Sequence, residues 1–181
     1  MSDTASIAFT SVEALEAFLE EMIHTPSDEA EGLSEMDHGL QCAAILKAER
    51  PEDIGLQVAG LLHDVGHTFS HIRDHGEAGG LALRDLMGDR IADLVSLHVP
   101  AKRYLVTTDP AYRALLSPRS IETLALQGGD MSPEEVAAYE AHPHGAEAVL
   151  LRRADEQAKV IGLDVPGLDA WRQAVKNHVQ A

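Results

Sequence analysis

Apolar residues recur at helical spacing from near the start of the chain. Thr10 with Glu13 spells a capping box, so a first helix opens at Thr10 or Ser11 and carries Val12, Leu15, Phe18, Leu19 and Met22 on one face to about His24. Thr25 to Gly32 turns acidic and turn-prone, which predicts a surface loop. Ser34 with Asp37 starts a second helix running to about Glu49, and Asp53 caps a third that reaches His63 through Val58, Leu61 and Leu62. Short connections imply antiparallel packing. After His67 comes a glycine-rich turn, and then Gly76 to Met87 and Asp89 to His98 read as two helices parted at Gly88, the second ended by Pro100. Between Ala101 and Gly129 only short helical turns are expected, broken by Pro110, Pro118 and the Gly128 and Gly129 pair. Ser132, Pro133 and Glu135 make a strong helix start leading toward His142, Gly145 to Lys159 continues as a helix, and a last one covers Asp169 to Val179.

Every element so read is a helix, and composition agrees. Ala and Leu dominate the apolar residues while aromatic and β-branched residues are sparse, and straight-chain side chains lose little rotamer freedom in a helix. The expected fold class is all-α, one helical bundle spanning residues 1–181, because 181 residues require no more than one core. The formal charge of -16 repels phosphate backbones and anionic membranes, so neither nucleic acid nor a membrane surface is an expected partner. A lone cysteine, Cys42, permits no intrachain disulfide and reads as a small core residue. No apolar run approaches a membrane span and Met1, Ser2 and Asp3 lack a basic leader, so a cytoplasmic protein is expected.

Candidate chemistry centres on Leu61, Leu62, His63, Asp64, Val65, Gly66, His67, where a histidine and a carboxylate sit side by side at the end of an apolar helix. Adjacent side chains there converge only on something small. A metal ion suits them, since imidazole nitrogen and carboxylate oxygen are first-row ligands and a single carboxylate can bridge two ions; Asp64 is the candidate bridge. Further ligands must come from elsewhere: His38 lies on the preceding helix, His75 opens the next, His98 ends the one after, and Asp155 lies on the helix near the C-terminus. Such segments can meet in a small bundle, but spacing alone leaves these four open between ligand and ordinary residue. His24, His142, His144 and His178 are read as surface or satisfied core histidines.

The order His, His-Asp, His, His and a final Asp resembles the HD-domain superfamily, whose members are mostly metal-dependent phosphohydrolases. The stretches from His38 to Ala43, His98 to Val106, Leu126 to Met131 and Leu151 to Glu156 are similar to a subgroup, the PhnZ-type HD-domain oxygenases, and the likeness runs from about Asp28 to Gly167. It implies an HD-type bundle whose metal-bearing helices span about 34–165. It implies a mixed-valent diiron cofactor with one iron on His38, His63, Asp64 and Asp155 and the other on Asp64, His75 and His98. Dioxygen is then the co-substrate, and the C–P bond of a small 1-hydroxyphosphonate is oxidatively cleaved with release of phosphate.

An anionic phosphonate entering so acidic a protein needs a local basic pocket, and the matched segments supply His67, Lys102 and Arg152, with Ser120 and Gln127 as further polar contacts. His67 and Lys102 are the expected catalytic residues. Lys102 and Arg152 as solvated surface charges, and Ser120 as a helix cap, are the plainer alternatives. Characterised relatives carry a tyrosine ten residues before the first histidine and a glutamate seven before it that engages a substrate ammonium. Those slots hold Asp28 and Glu31 here, so the glutamate is kept and the tyrosine is not. Two other readings compete: a phosphohydrolase in which the metals activate water, and a noncatalytic sensor whose metal cage is a structural staple.

Overall fold

The computed structural model describes residues 7–27 and 31–180. Its helices are α1 (Val12–Met22), α2 (Glu35–Glu49), α3 (Ile54–Leu62), α4 (His75–Thr108), α5 (Pro110–Leu115), α6 (Pro118–Leu126), α7 (Pro133–Glu140), α8 (Gly145–Gln157) and α9 (Arg172–Asn177), with short 3-10 turns at Val65–Thr68 and Leu168–Ala170. Among the described residues there is no strand, only an isolated bridge between Pro26 and Ser34. The all-α expectation holds. No helix among these residues is long and apolar enough to cross a membrane.

Local chemistry starts the helices where their caps lie. Ser34 and Asp37 form a reciprocal capping box at α2, Asp53 accepts from the Leu56 amide at α3, and Ser132 with Glu135 boxes α7 behind Pro133. The first helix is capped by Ser11, which accepts from the Ala14 amide. Helices α2 and α3 are buried on most of their circumference, so they show little of the one-sided apolar stripe of a surface helix. They pack on each other and on α8, α3 packs on α4 as well, and α1 and α9 cover them from outside. Cys42 is wholly buried in this core, as a small apolar residue would be.

Pro100 does not end its helix, contrary to expectation: α4 runs on to Thr108. Proline costs the helix one hydrogen bond, but Val99, Ala101, Lys102, Leu105 and Val106 are all buried, and their packing carries the helix through. The expected short pieces after Ala101 therefore begin only at Pro110.

The parting at Gly88 is real and decisive. Gly88 takes φ 80° and ψ 170°, open only to glycine, and the two halves of α4 fold back on each other about this point. Their contact is close enough that a Cβ on Gly80 would lie 1.9 Å from Ser96 Oγ and 2.4 Å from the Ala92 carbonyl oxygen. The fold-back sets His75, at the start of one half, beside His98 in the other. Gly80→Val should therefore force the halves apart, lowering stability by about 1–3 kcal/mol and weakening whatever His75 and His98 hold together. Thermal melting with and without added metal checks both effects.

Candidate metal centre

The side chains of His38, His63, Asp64, His75, His98 and Asp155 are all buried, and they meet at one centre. Their ring orientations follow from backbone carbonyls. The Nδ1 of His63 lies 2.8 Å from the Gly60 carbonyl, one of the acceptors that the end of α3 leaves without a helical donor. His75 uses Ile72 at 2.8 Å, His98 uses Val95 at 2.6 Å, and His38 reaches 2.7 Å to Ala158 just past α8. A carbonyl can only accept, so each Nδ1 carries a hydrogen, and each inward-facing Nε2 offers a lone pair to a metal once it is free of any second proton.

Those lone pairs face one another. His38 and His63 bring their Nε2 atoms to 3.2 Å, and His75 and His98 bring theirs to 2.8 Å. Two acceptors at such distances repel unless a cation lies between them. Nitrogens bound to one first-row metal at about 2.0–2.1 Å, subtending roughly 90–110°, stand roughly 2.8–3.4 Å apart, so both pairs have the spacing of a shared ion.

Asp64 stands between the pairs and divides its oxygens. Oδ2 is 3.4 Å from His38 and 3.2 Å from His63, whereas Oδ1 is 3.4 Å from both His75 and His98. Two donor groups result, His38 with His63 and Asp64, and Asp64 with His75 and His98. Asp155 joins the first, its Oδ1 3.2 Å from His38 and 3.8 Å from His63. The donor set of imidazoles and carboxylates, with one carboxylate shared, suits a pair of first-row transition metals.

Electrostatics agrees with a site built for positive charge. Burial favours neutral His63, but Asp64 and Asp155 reverse this and raise it to about 10; His38 is raised by the same two carboxylates against the same burial. Burial also disfavours the charge on Asp64 and Asp155, yet His63 and His67 hold Asp64, and Arg152 with His38 holds Asp155, well below the usual carboxylate range. His98 goes the other way, pushed by burial down to about 4, with His75 adding to the effect. A metal must displace the protons that the carboxylates hold on His38 and His63. Adding metal to the metal-free protein near pH 7 should thus release protons, as a pH-stat in weak buffer would record; uptake without release would contradict these protonation states.

The proposed substrate residues divide into those at the cavity and those behind it. A small cavity of about 10 Å³ adjoins the centre, walled by Asp64, His75, His98, Val99, Lys102, Gln127, Arg152 and Asp155. Lys102 is buried and donates to Thr123 Oγ1 at 2.5 Å and to Gln127 Oε1 at 3.1 Å. Arg152 is buried too, bonded to Asp155, to Glu156 and, at 2.7 Å, to the Tyr112 hydroxyl. Neither is a solvated surface charge. His67 lies against His75, ring centroids 3.9 Å apart and planes tilted by 47°, and sits 3.4 Å from Asp64 Oδ1, without forming part of the cavity wall.

Ser120 is completely buried, bonded to Glu156 at 2.9 Å and to Lys159 at 2.9 Å, and stands behind Arg152. Its own helix is capped by Ser117 instead. Glu31 lies exposed on the turn before α2 and is not on the wall, and Asp28 falls outside the described residues. His24, His142, His144 and His178 are not among the donor groups.

Several residues with a part in the site escape a reading of motifs. Thr123 anchors Lys102, and Glu156 gathers Arg152, Ser120 and Lys159 while accepting from the Ser117 amide at 3.0 Å. Gln41 holds residue 160 through both amide atoms, at 2.8 and 3.0 Å, and so steadies the segment whose Ala158 carbonyl orients His38. Only Gln41, one turn after His38, had a positional signal.

Comparison with known proteins agrees with this geometry. A family model described as "HD domain" matches residues 36–156. The chain is 35% identical to the hydroxymethylphosphonate dioxygenase of Gimesia maris, over 98% of this chain and 94% of that protein. It is 40% identical to the glycine-betaine-forming dioxygenase of 1-hydroxy-2-(trimethylamino)ethylphosphonate from Leisingera caerulea, over 76% of this chain and 74% of that one. An uncharacterised protein of Acanthamoeba polyphaga mimivirus, L432, is 33% identical over 78% of this chain and 70% of its own length.

Proposed function

Because this chain belongs to the HD-domain family, we propose that it is a diiron phosphonate dioxygenase that cleaves the C–P bond of a small 1-hydroxyphosphonate. The observation that carries the reading is the division of Asp64 between two histidine pairs beside a cavity walled by Lys102 and Arg152. His38, His63, Asp64 and Asp155 would hold one iron, and Asp64, His75 and His98 the other. Dioxygen activation and one-electron oxidation at C1 are the chemistry such a mixed-valent pair supplies when bound. The reaction balances without an outside reductant: one oxygen atom goes to C1, giving a carboxylic acid, and one to phosphorus, giving phosphate.

The chain's own residues bind, orient and exclude water. Lys102 and Arg152 place two buried positive charges against the phosphonate, and in a buried site such charge-assisted contacts are stronger than at the surface. Gln127 adds an amide that can follow the phosphonate oxygens. We assign His67, beside the Asp64 oxygen that faces His75 and His98, to take the proton of the C1 hydroxyl. Ser120 and Glu156 act from behind by fixing Arg152.

Cavity size favours the smallest substrate. The space open beside the centre is only about 10 Å³, far below the roughly 300–1,000 Å³ of sites for drug-sized ligands, so side chains must move to admit even a small phosphonate. The carboxylates on the wall are Asp64 and Asp155, both turned to the metal side, so the described wall has no anionic group left to receive an ammonium. We therefore favour hydroxymethylphosphonate over an amine-bearing analogue, and Glu31 loses the ammonium-binding part expected of it unless the turn before α2 closes inward. The test is phosphate release and dioxygen consumption by iron-loaded protein with hydroxymethylphosphonate and with the trimethylamino analogue. Equimolar oxygen uptake and phosphate, faster with the former, is expected. Phosphate released without dioxygen from a phosphomonoester or nucleotide, with neither phosphonate turned over, would establish a phosphohydrolase instead.

A further inference from the structure

We propose that substrate reaches the metal centre through the arginine-bearing groove beside the start of α4, and that the side chain of Gln127 is its door. The inference rests on the phosphonate reading above and adds the route. Of the residues that wall the inner cavity, all are buried except Gln127, which is half-buried. Among the described residues, the wall is therefore thinnest there. On the other side of Gln127 and Val99 lies an open groove of about 400 Å³, and these two residues belong to the walls of both spaces.

Gln127 is bonded as a door should be. Its oxygen accepts from Lys102 Nζ at 3.1 Å on the inner side, and its nitrogen reaches the Ile72 carbonyl at 3.4 Å on the rim. The rim contact is long and neutral, so swinging the amide away breaks one weak bond. The inner contact is replaced when a phosphonate oxygen takes the Lys102 ammonium. Opening is thus coupled to arrival of the substrate.

The groove suits an anion. Arg73, Arg84 and Arg103 line it beside Asp74 and Glu77, so three guanidinium groups border the groove in a chain of net charge -16. Arg84 is held by Asp89 and Asp93, and Arg103 by Glu135 and the Gly129 carbonyl, so their guanidinium groups are fixed at the walls. Guanidinium groups along such a wall can meet a small anion on its way in and speed its entry, an effect that salt weakens.

A door and an ordinary substrate contact differ in kinetics. The test measures association and dissociation rates of hydroxymethylphosphonate with the metal-loaded protein, without dioxygen, by 31P relaxation. In Gln127→Ala association should rise roughly fivefold or more and dissociation at least as much, since a phosphonate contact goes with the door; a contact that is not a door would raise dissociation alone. In Arg73→Glu, where the side chain is largely exposed and outside the inner cavity, association should fall about two- to fivefold at low salt and recover at high salt, with dissociation unchanged. Association rates unchanged in both variants would overturn the route while leaving the phosphonate reading in place. Failure of the unaltered protein to bind the phosphonate would overturn both.

Discussion

Asp64→Ala is expected to cost the protein its paired metal site: metal content should fall from two ions per chain to one or fewer, and turnover should drop by well over the roughly 10–100-fold that loss of a ligand's supporting partner typically causes. Each Asp64 oxygen faces a different histidine pair, so one substitution removes a donor from both. Without it His75 and His98 hold only two donors between them, too few to retain a dilute ion, whereas His38, His63 and Asp155 still offer three. Metal analysis and circular dichroism on the purified variant check this, the latter to show that the helices stay folded. Undiminished occupancy by two ions would mean that Asp64 does not bridge.

Lys102→Met should give the second large effect, of a different kind. Methionine keeps most of the volume while removing the ammonium, so a charged hydrogen bond worth about 1.5–3 kcal/mol is lost and KM for the phosphonate should rise roughly 10–150-fold. Metal content should stay at two, because the Lys102 ammonium is bonded to Thr123 and Gln127, neither of which belongs to the metal-donor groups. Arg152→Met should behave otherwise. Its guanidinium grips Asp155 as well as lining the cavity, so metal content and KM should both suffer. The pair of variants, compared by metal analysis and steady-state kinetics, separates binding of the phosphonate from support of the metal.

That contrast marks how far the sequence could be read. Capping residues such as Ser34 with Asp37, Asp53 and Ser132 announced their helices because the signal is local, a side-chain oxygen and an amide three residues on. His63 with Asp64 announced a metal because adjacent ligands are a local signal too. The remaining ligands needed a family resemblance to pick them out, since His38 finds its orienting carbonyl 120 residues away at Ala158 and no spacing rule encodes such a contact. The same limit hid the second duty of Arg152 and the anchoring of Lys102 by Thr123. Pro100 misled for the opposite reason: its local preference to end a helix was overridden by the buried residues on either side. Gly88 was legible as a break, but not as the fold-back that joins His75 to His98.

Anomalous diffraction at the iron edge from crystals of the iron-loaded protein tests the central geometry most directly. Two peaks are expected, one beside His38, His63 and Asp155 and one beside His75 and His98, each in contact with a different oxygen of Asp64. A single peak, or two peaks with no carboxylate in common, would contradict it.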